Sequence, residues 1–246
     1  MKFSVITVTY QNNKGLKKTL KSLSKLDKNI YELIVIDGGS SDQTLQTIKN
    51  NTDLIDKWIS EPDKGIYDAM NKGLKLVDNK DNIVSFLNAG DLALYNYFEE
   101  PKNYFLKDDK IRYCYGGIVL VGKKKESVYM PKILNKKGEY LQRMVFPHPS
   151  LFVKKSIYHR IGYFNLNKKF TADHEWCVRL VKSEVKGARY NNPVVKFELG
   201  GASLKLIAQF EVFKTAIDNK RNILLALIFF IRQLLTYFYY ILRSKL

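Results

Sequence analysis

The chain opens on a short apolar and β-branched run, Phe3 to Thr9, stopped by the polar Gln11-Asn12-Asn13. A run of this length with no clean alternation predicts a strand buried on both faces. The same signature returns at Tyr31–Ile36, Leu54–Ser60 and Asn82–Leu87. Between these runs the period changes. Leu16, Leu20, Leu23 and Leu26 recur at helical spacing with lysines between them, which predicts an amphipathic helix. Helices are also predicted from about Gln43 to Asn50 and from Tyr67 to Val77.

Strands alternating with helices predict an α/β fold with a mainly parallel sheet covered on both faces. In such a sheet, loops that follow the strands share one edge, where ligands bind. Three of these loops are polar: Thr9-Tyr10, Asp37 with the residues after it, and Asn88-Ala89-Gly90-Asp91. They are expected to converge although they are far apart along the chain. Taken alone, Asn88–Asp91 reads first as a turn, since Asn, Gly and Asp are turn residues.

The second half is less regular. Arg112–Val121 and Ser127–Met130 predict paired strands around Gly122-Lys123-Lys124-Lys125. Pro147-His148-Pro149 precedes the apolar Ser150–Val153, and Asp173 begins a helix whose apolar members include Trp176, Val178, Leu180 and Val181. An Asp at a helix start is often only a cap.

From about Ser203 the character changes, dividing the chain into a domain over 1–202 and a basic, apolar helical segment over 203–246. Asn222–Leu242 is apolar over nearly the length of a membrane span. However, Arg221, Arg232, Thr236, Tyr239 and Arg243 fall on one helical stripe. That arrangement suits a helix lying in the membrane interface. Packing on the domain, a homodimer contact and a true span are the alternatives. From Gly200 onward, seven Lys or Arg stand against two acidic residues, which favours an anionic leaflet.

Composition narrows the reading further. The 246 residues are 46% hydrophobic, enough for one sizeable core. A net charge of +17 favours anionic partners: nucleic acid, lipid headgroups or phosphorylated substrates. The lysines are scattered rather than blocked, which counts against a nucleic-acid arm. Cys114 and Cys177 belong to no ligand cluster, and two buried thiols are expected. The N-terminus enters a strand at once with no secretory pattern, so a cytoplasmic location is expected.

The blocks SVITVTYQN, ELIVIDGGSSDQT, WISEPDKGIYDAMNKG and SFLNAGD, in that order, resemble the inverting glycosyltransferases of family 2, with the GT-A fold. The nearest branch is that of bacterial enzymes building surface polysaccharides. PHPSLFVKKSIYHRIGYFN and FTADHEW resemble that branch's acceptor-side half, so the likeness runs from about Phe3 to Gly201. The resemblance implies transfer of a hexose-type sugar, with inversion, from a nucleotide-diphosphate sugar, UDP being favoured. The implied acceptor is a polyprenyl-diphosphate-linked glycan on the inner face of the cytoplasmic membrane, where the enzyme would be peripheral.

The resemblance also implies roles. Thr9, Tyr10 and Asp37 match positions that hold the nucleoside. Asp63, Lys64, Gly65, Asp68 and Asn71 lie in a block lining the nucleotide and donor sugar. Family members usually carry Asp-x-Asp after the fourth strand, one carboxylate holding a divalent cation. Here Asn88 replaces the first Asp and Gly90 the next. Asp91 is therefore the expected ligand of Mn²⁺ or Mg²⁺, with Asn88 and Ala89 as donor contacts. His148 is expected to touch the diphosphate, the metal or the acceptor. Asp173 matches the catalytic base, with His174 and Glu175 as the alternates, and His174 is also an expected contact on the acceptor or diphosphate side. Asp42 reads as a cap, and Trp176 as core.

Two other readings fit parts of this pattern. A nucleotidyltransferase calls for a Gly-rich basic loop after the first strand, and Thr9–Asn13 has no glycine. A non-catalytic nucleic-acid-binding module would bind in a salt-sensitive way and would need neither Asp91 nor Asp173.

Overall fold

The computed structural model describes residues 1–122, 125–133, 138–198 and 206–244, with side chains to residue 236. Lys123 and Lys124 of the expected hairpin turn, the expected domain boundary at 202/203 and the Tyr239 and Arg243 side chains lie outside the described residues.

The first half follows the sequence pattern closely. Its elements are β1 (Phe3–Thr9), α1 (Asn13–Leu23), β2 (Tyr31–Asp37), α2 (Thr44–Lys49), β3 (Lys57–Ser60), α3 (Ile66–Lys75) and β4 (Ile83–Phe86). These strands pair in parallel, in the order β3-β2-β1-β4. All seven positions of β1 and of β2 are buried. The period-2 geometry of a strand then sends alternate side chains to opposite faces. Ile6, Val8, Ile34, Ile36 and Phe86 enter one core with α3. Phe3, Val5, Leu33, Val35 and Leu87 enter the other with α1. Because both faces are covered, the strands read as unbroken apolar runs.

The second half adds β5 (Leu92–Ala93), α4 (Glu99–Lys107), β6 (Tyr113–Val121), β7 (Glu126–Tyr129), β8 (Leu151–Lys154), α5 (Lys155–Ile161), α6 (Ala172–Lys182) and β9 (Gly187–Glu198). β8 joins β4 antiparallel and the sheet continues β8-β6-β9-β5, with β7 on β6 as the expected hairpin. β9 was not anticipated, because Asn191-Asn192-Pro193 interrupts it with turn-type residues. Its partner β6 absorbs the interruption through register shifts on either side of Gly117.

The chain closes with α7 (Leu206–Asp218) and α8 (Ile223–Ser244). Ala216 and Ala226 of this pair pack with Val178 of α6 and Leu141. Among the described residues, no helix is long and apolar enough to cross a membrane. Cys114 and Cys177 are free and buried.

Candidate functional site

The three polar loops leave one edge of the sheet together. Thr9 and Asp37 are register partners. The Gly38 N–H donates to Thr9 O (3.0 Å) and the Ala89 N–H to Val8 O (3.1 Å). From the side, α1 fastens the Asn88–Asp91 turn. Its N-cap residue Asn12 accepts from the Gly15 N–H (3.0 Å) and donates to Ala89 O (3.0 Å). Thr19 Oγ1 accepts from the Gly90 N–H (2.9 Å) and donates to Asp91 O (2.8 Å). Gly90 has φ +113°, a conformation that disfavours any side chain.

Among the described residues, this turn leaves a carboxylate without a counter-ion and an amide oxygen without a donor. Asp91 is 6% exposed, and no cation pairs with it among the described residues. Burial pushes its carboxyl up to about 7, against a backbone hydrogen bond from Asn88 and with help from the charge of Glu198. Asn88 Oδ1 is buried and has no hydrogen-bond partner. A buried carbonyl oxygen without a donor is costly, and a hard cation takes oxygen ligands of this kind. By donor type, a carboxylate and an amide oxygen suit Mg²⁺ or Mn²⁺. Among the described residues no group of three or more His, Cys, Asp or Glu converges, so other oxygens would have to complete the shell.

On the other side of β1, Thr9, Tyr10, Gly38 and Asp63 meet. A Cβ at Gly38 would lie 2.5 Å from Asp63 Oδ2 and 3.2 Å from the Tyr10 ring, so any larger residue would displace the Asp63 carboxylate. Tyr10 is 63% exposed, and Thr9 Oγ1 is buried without a partner. Asp37 is fully buried. Its carboxylate accepts from the Ser40 N–H (3.0 Å), Ser40 Oγ (2.5 Å) and Ser60 Oγ (2.7 Å), and so holds the loop as well as facing the edge. Asp42 does not take the expected cap position, since the N-cap residue of α2 is Gln43. Asp42 stands one residue before it and accepts from the Thr44 N–H (2.9 Å), closing the turn that leads into the helix.

The next block turns into α3. Asp63 Oδ1 accepts from the Gly65 N–H (2.7 Å), and Asp68 Oδ2 from the Lys64 N–H (3.0 Å). Gly65, at φ +114°, opens the helix. Lys64 is exposed. Asn71 departs from the expected donor contact. It is buried, its Nδ2 donates to Phe164 O (2.9 Å) and its Oδ1 accepts from the Phe164 N–H (3.0 Å). That side chain is a clasp between α3 and the second half.

Asp173 stands on the first turn of α6. Its Oδ1 accepts from the Tyr67 hydroxyl (2.9 Å) and the His174 N–H (2.8 Å). Tyr67 belongs to α3, so this bond ties the Asp63–Asp68 block to Asp173. Burial, then the charge of Asp173, raises the Tyr67 phenol, which therefore stays a donor. His148 stacks on Phe86 (centroids 5.1 Å, 21°), two residues before Asn88, and meets Phe164 edge-on. Burial lowers its pKa against the opposing charge of Asp173, so a neutral imidazole lies between the β4 turn and α6. His174 is not brought into this group. It is 3% exposed and its Nε2 donates to Tyr140 O (2.9 Å). Trp176 is core, stacked on Tyr158.

Three residues that the motifs did not single out therefore organise the site: Asn12, Thr19 and Tyr67. Thr19 had a faint signal, as a polar residue on the leucine face of an amphipathic helix. Tyr67 had none, since an aromatic at a helix start reads as core.

Comparison with known proteins shows the family and the fold. A family profile described as "Glycosyl transferase family 2" matches residues 4–174. The chain is 30% identical over 186 residues to an uncharacterized glycosyltransferase of Mycobacterium tuberculosis, covering 72% of this chain and 67% of the relative. It is 27% identical over 220 residues to a PGL/p-HBAD biosynthesis glycosyltransferase of Mycobacterium bovis, covering 83% and 80%. Among solved structures, residues 1–349 of Staphylococcus aureus TarS in complex with UDP-GlcNAc superpose with a TM-score of 0.68 at 20% identity. That match covers 88% of this chain and 65% of the TarS chain. A mannosyltransferase of Pyrobaculum calidifontis, in complex with GDP-Man and Mn²⁺, superposes with a TM-score of 0.64 at 14% identity.

Proposed function

The chain belongs to glycosyl transferase family 2, and from that premise we propose that it moves a sugar, with inversion, from a nucleotide-diphosphate sugar to a hydroxyl of a growing glycan. The observation that carries this reading is the bond from Tyr67 to Asp173. It joins the donor-side block of α3 to a carboxylate whose second oxygen, Oδ2, accepts no hydrogen bond among the described residues.

In the proposed reaction the acceptor hydroxyl attacks the anomeric carbon from the face opposite the diphosphate. Asp173 Oδ2 takes the hydroxyl proton as the new C–O bond forms, and the nucleoside diphosphate leaves with the electron pair of the old bond. Tyr67 and the His174 N–H hold Oδ1, so Oδ2 is aimed rather than free to turn. Tyr10, Thr9 and Asp63 border the nucleoside, while Lys64 is free to offset phosphate charge. The neutral His148 is a hydrogen-bonding group between donor and acceptor. Asp91 and Asn88 would hold a divalent cation, which as a Lewis acid stabilises charge on a leaving diphosphate. Asp37 contributes mainly through the loop it fastens. UDP is the proposed nucleotide, supported by the TarS complex with UDP-GlcNAc.

The proposed acceptor is a lipid-linked glycan at a membrane surface. Support comes from α8, where Leu224, Leu227, Ile228, Ile231 and Leu235 are exposed. They occupy the face opposite Ala226, which packs inward, with Arg232 and Thr236 exposed alongside. An apolar face flanked by a cation suits the headgroup boundary.

A thermal-shift panel of nucleotides and nucleotide sugars, with Mn²⁺, with Mg²⁺ and with EDTA, tests the reading. A ligand that binds only the folded state raises Tm by mass action. A selective shift with one nucleotide diphosphate, larger with metal, is expected. No shift with any nucleotide would overturn it.

A further inference from the structure

The loop that delivers Asp173 is held from outside the sheet domain. Thr171 is the N-cap residue of α6, yet its side chain makes no cap bond to that helix. Its hydroxyl instead donates to Glu211 Oε2 of α7 (2.9 Å). The Phe170 N–H donates to the same oxygen (3.0 Å), and the Lys169 N–H to Glu211 Oε1 (2.8 Å). Lys168 Nζ donates to the Glu211 carbonyl oxygen (3.2 Å). One carboxylate thus gathers three donors from consecutive residues that end two positions before Asp173. Hydrogen bonds to an ionised acceptor are shorter and stronger than neutral ones, and a helix start depends on partners outside the helix for its free N–H groups.

We propose that Glu211 is a positioning residue for Asp173. It fixes the entry of α6 from the C-terminal helical pair, so that Asp173 meets the Tyr67 hydroxyl. The proposal rests on the reading of Asp173 as the base. Its consequence is that α7 belongs to the working parts of the enzyme and is not a detachable appendage. The charge of Glu211 also reaches the Tyr67 phenol, adding to the larger effects of burial and Asp173. α7 in turn packs on α8 through Phe210, Phe213 and Phe230, so the face proposed to meet the membrane is one helix removed from the loop.

The test uses the full chain and amide hydrogen exchange by NMR in Glu211→Ala and Glu211→Gln. In Glu211→Ala, protection of the Lys169 and Phe170 amides should fall by about tenfold or more. The His174 amide, which bonds Asp173 Oδ1, should open with them, and the Asp173 ¹³Cγ resonance should move. The Val35 amide of β2 should not change. Glu211→Gln keeps one oxygen acceptor and should restore part of the protection. If the first variant fails to fold, Glu211→Gln and Thr171→Val carry the same readout. Opening at Lys169 and Phe170 with the His174 amide and the Asp173 resonance unmoved would overturn the positioning role and leave the base intact. Undiminished transfer by Asp173→Asn would instead remove the reading beneath it.

Discussion

At the scale of single residues, the site is governed by what each carboxylate has for company. Asp91 is the uncompensated one. In the unfolded chain its carboxyl titrates near 3.8, and in the fold near 7 because burial penalises the charge. Between those values the folded state binds the extra proton, so stability falls as pH rises from about 4 to about 7 and the whole penalty remains above. Asp91→Asn should therefore stabilise the metal-free protein at pH 8, by on the order of a few kcal/mol, and do nothing at pH 3. Thermal denaturation at the two pH values checks this, and an equal gain at both would contradict it. A cation competes with that proton, so Mn²⁺ binding should weaken steadily as pH drops below about 7, measurable by titration calorimetry. Asp173 is the opposite case, with one oxygen tied to Tyr67 and His174. Asp173→Asn keeps the shape and loses the base. Donor turnover should fall by about 10²–10⁴-fold, while the nucleotide-induced Tm shift persists.

At the scale of elements, α1 and α8 bear on different surfaces of the molecule. α1 is a core helix that also carries the turn after β4. Thr19→Val would leave the Gly90 N–H and Asp91 O without their partner, at a cost of about 1–3 kcal/mol. Chemical denaturation should show that loss, and nucleotide affinity measured with Mn²⁺ should drop more than global stability suggests. In α8 the exposed face is dispensable to the fold. Replacing Leu224, Ile228, Ile231 and Leu235 by Gln should abolish sedimentation with anionic vesicles while leaving circular dichroism and the nucleotide shift unchanged. Vesicle binding that survives these substitutions would place the contact elsewhere.

This is also the scale at which the sequence was most and least legible. β1, β2, α3 and β4 were readable because both sheet faces are covered there, and a doubly buried strand writes itself as an unbroken apolar run. β9 was not, because Asn191-Asn192-Pro193 carries local turn chemistry that only pairing with β6 overrides. β5 is two residues long, too short to show a period. α7 lies inside the helical segment expected over 203–246, but its docking is not legible there, because its partners Val178 and Leu141 lie far back in the chain.

At the scale of the whole molecule, the net charge of +17 gives an electrostatic component to every encounter with an anionic surface. Charges more than a Debye length apart are screened at about 10 Å in 0.1 M salt. Vesicle binding should therefore weaken as NaCl rises but not vanish, since the apolar face of α8 is indifferent to screening. Complete release by salt alone would mean that the helix contributes nothing.

The sequence by itself determined the α/β class, the strands that make the central sheet, and which loops share its carboxyl edge. These follow from local periodicity and from the rule that successive parallel strands expose equivalent ends. It also marked Asp91 as the one acid in its turn. Only the tertiary structure decided how those residues are used. It spent Asn71 on Phe164 and His174 on Tyr140, left Asn88 Oδ1 without a donor, and brought Tyr67 to Asp173 across 106 positions. The reason is physical. Burial and hydrogen-bond partnership are properties of what surrounds a group in space, and the surroundings of these side chains are supplied by segments that the local pattern cannot see.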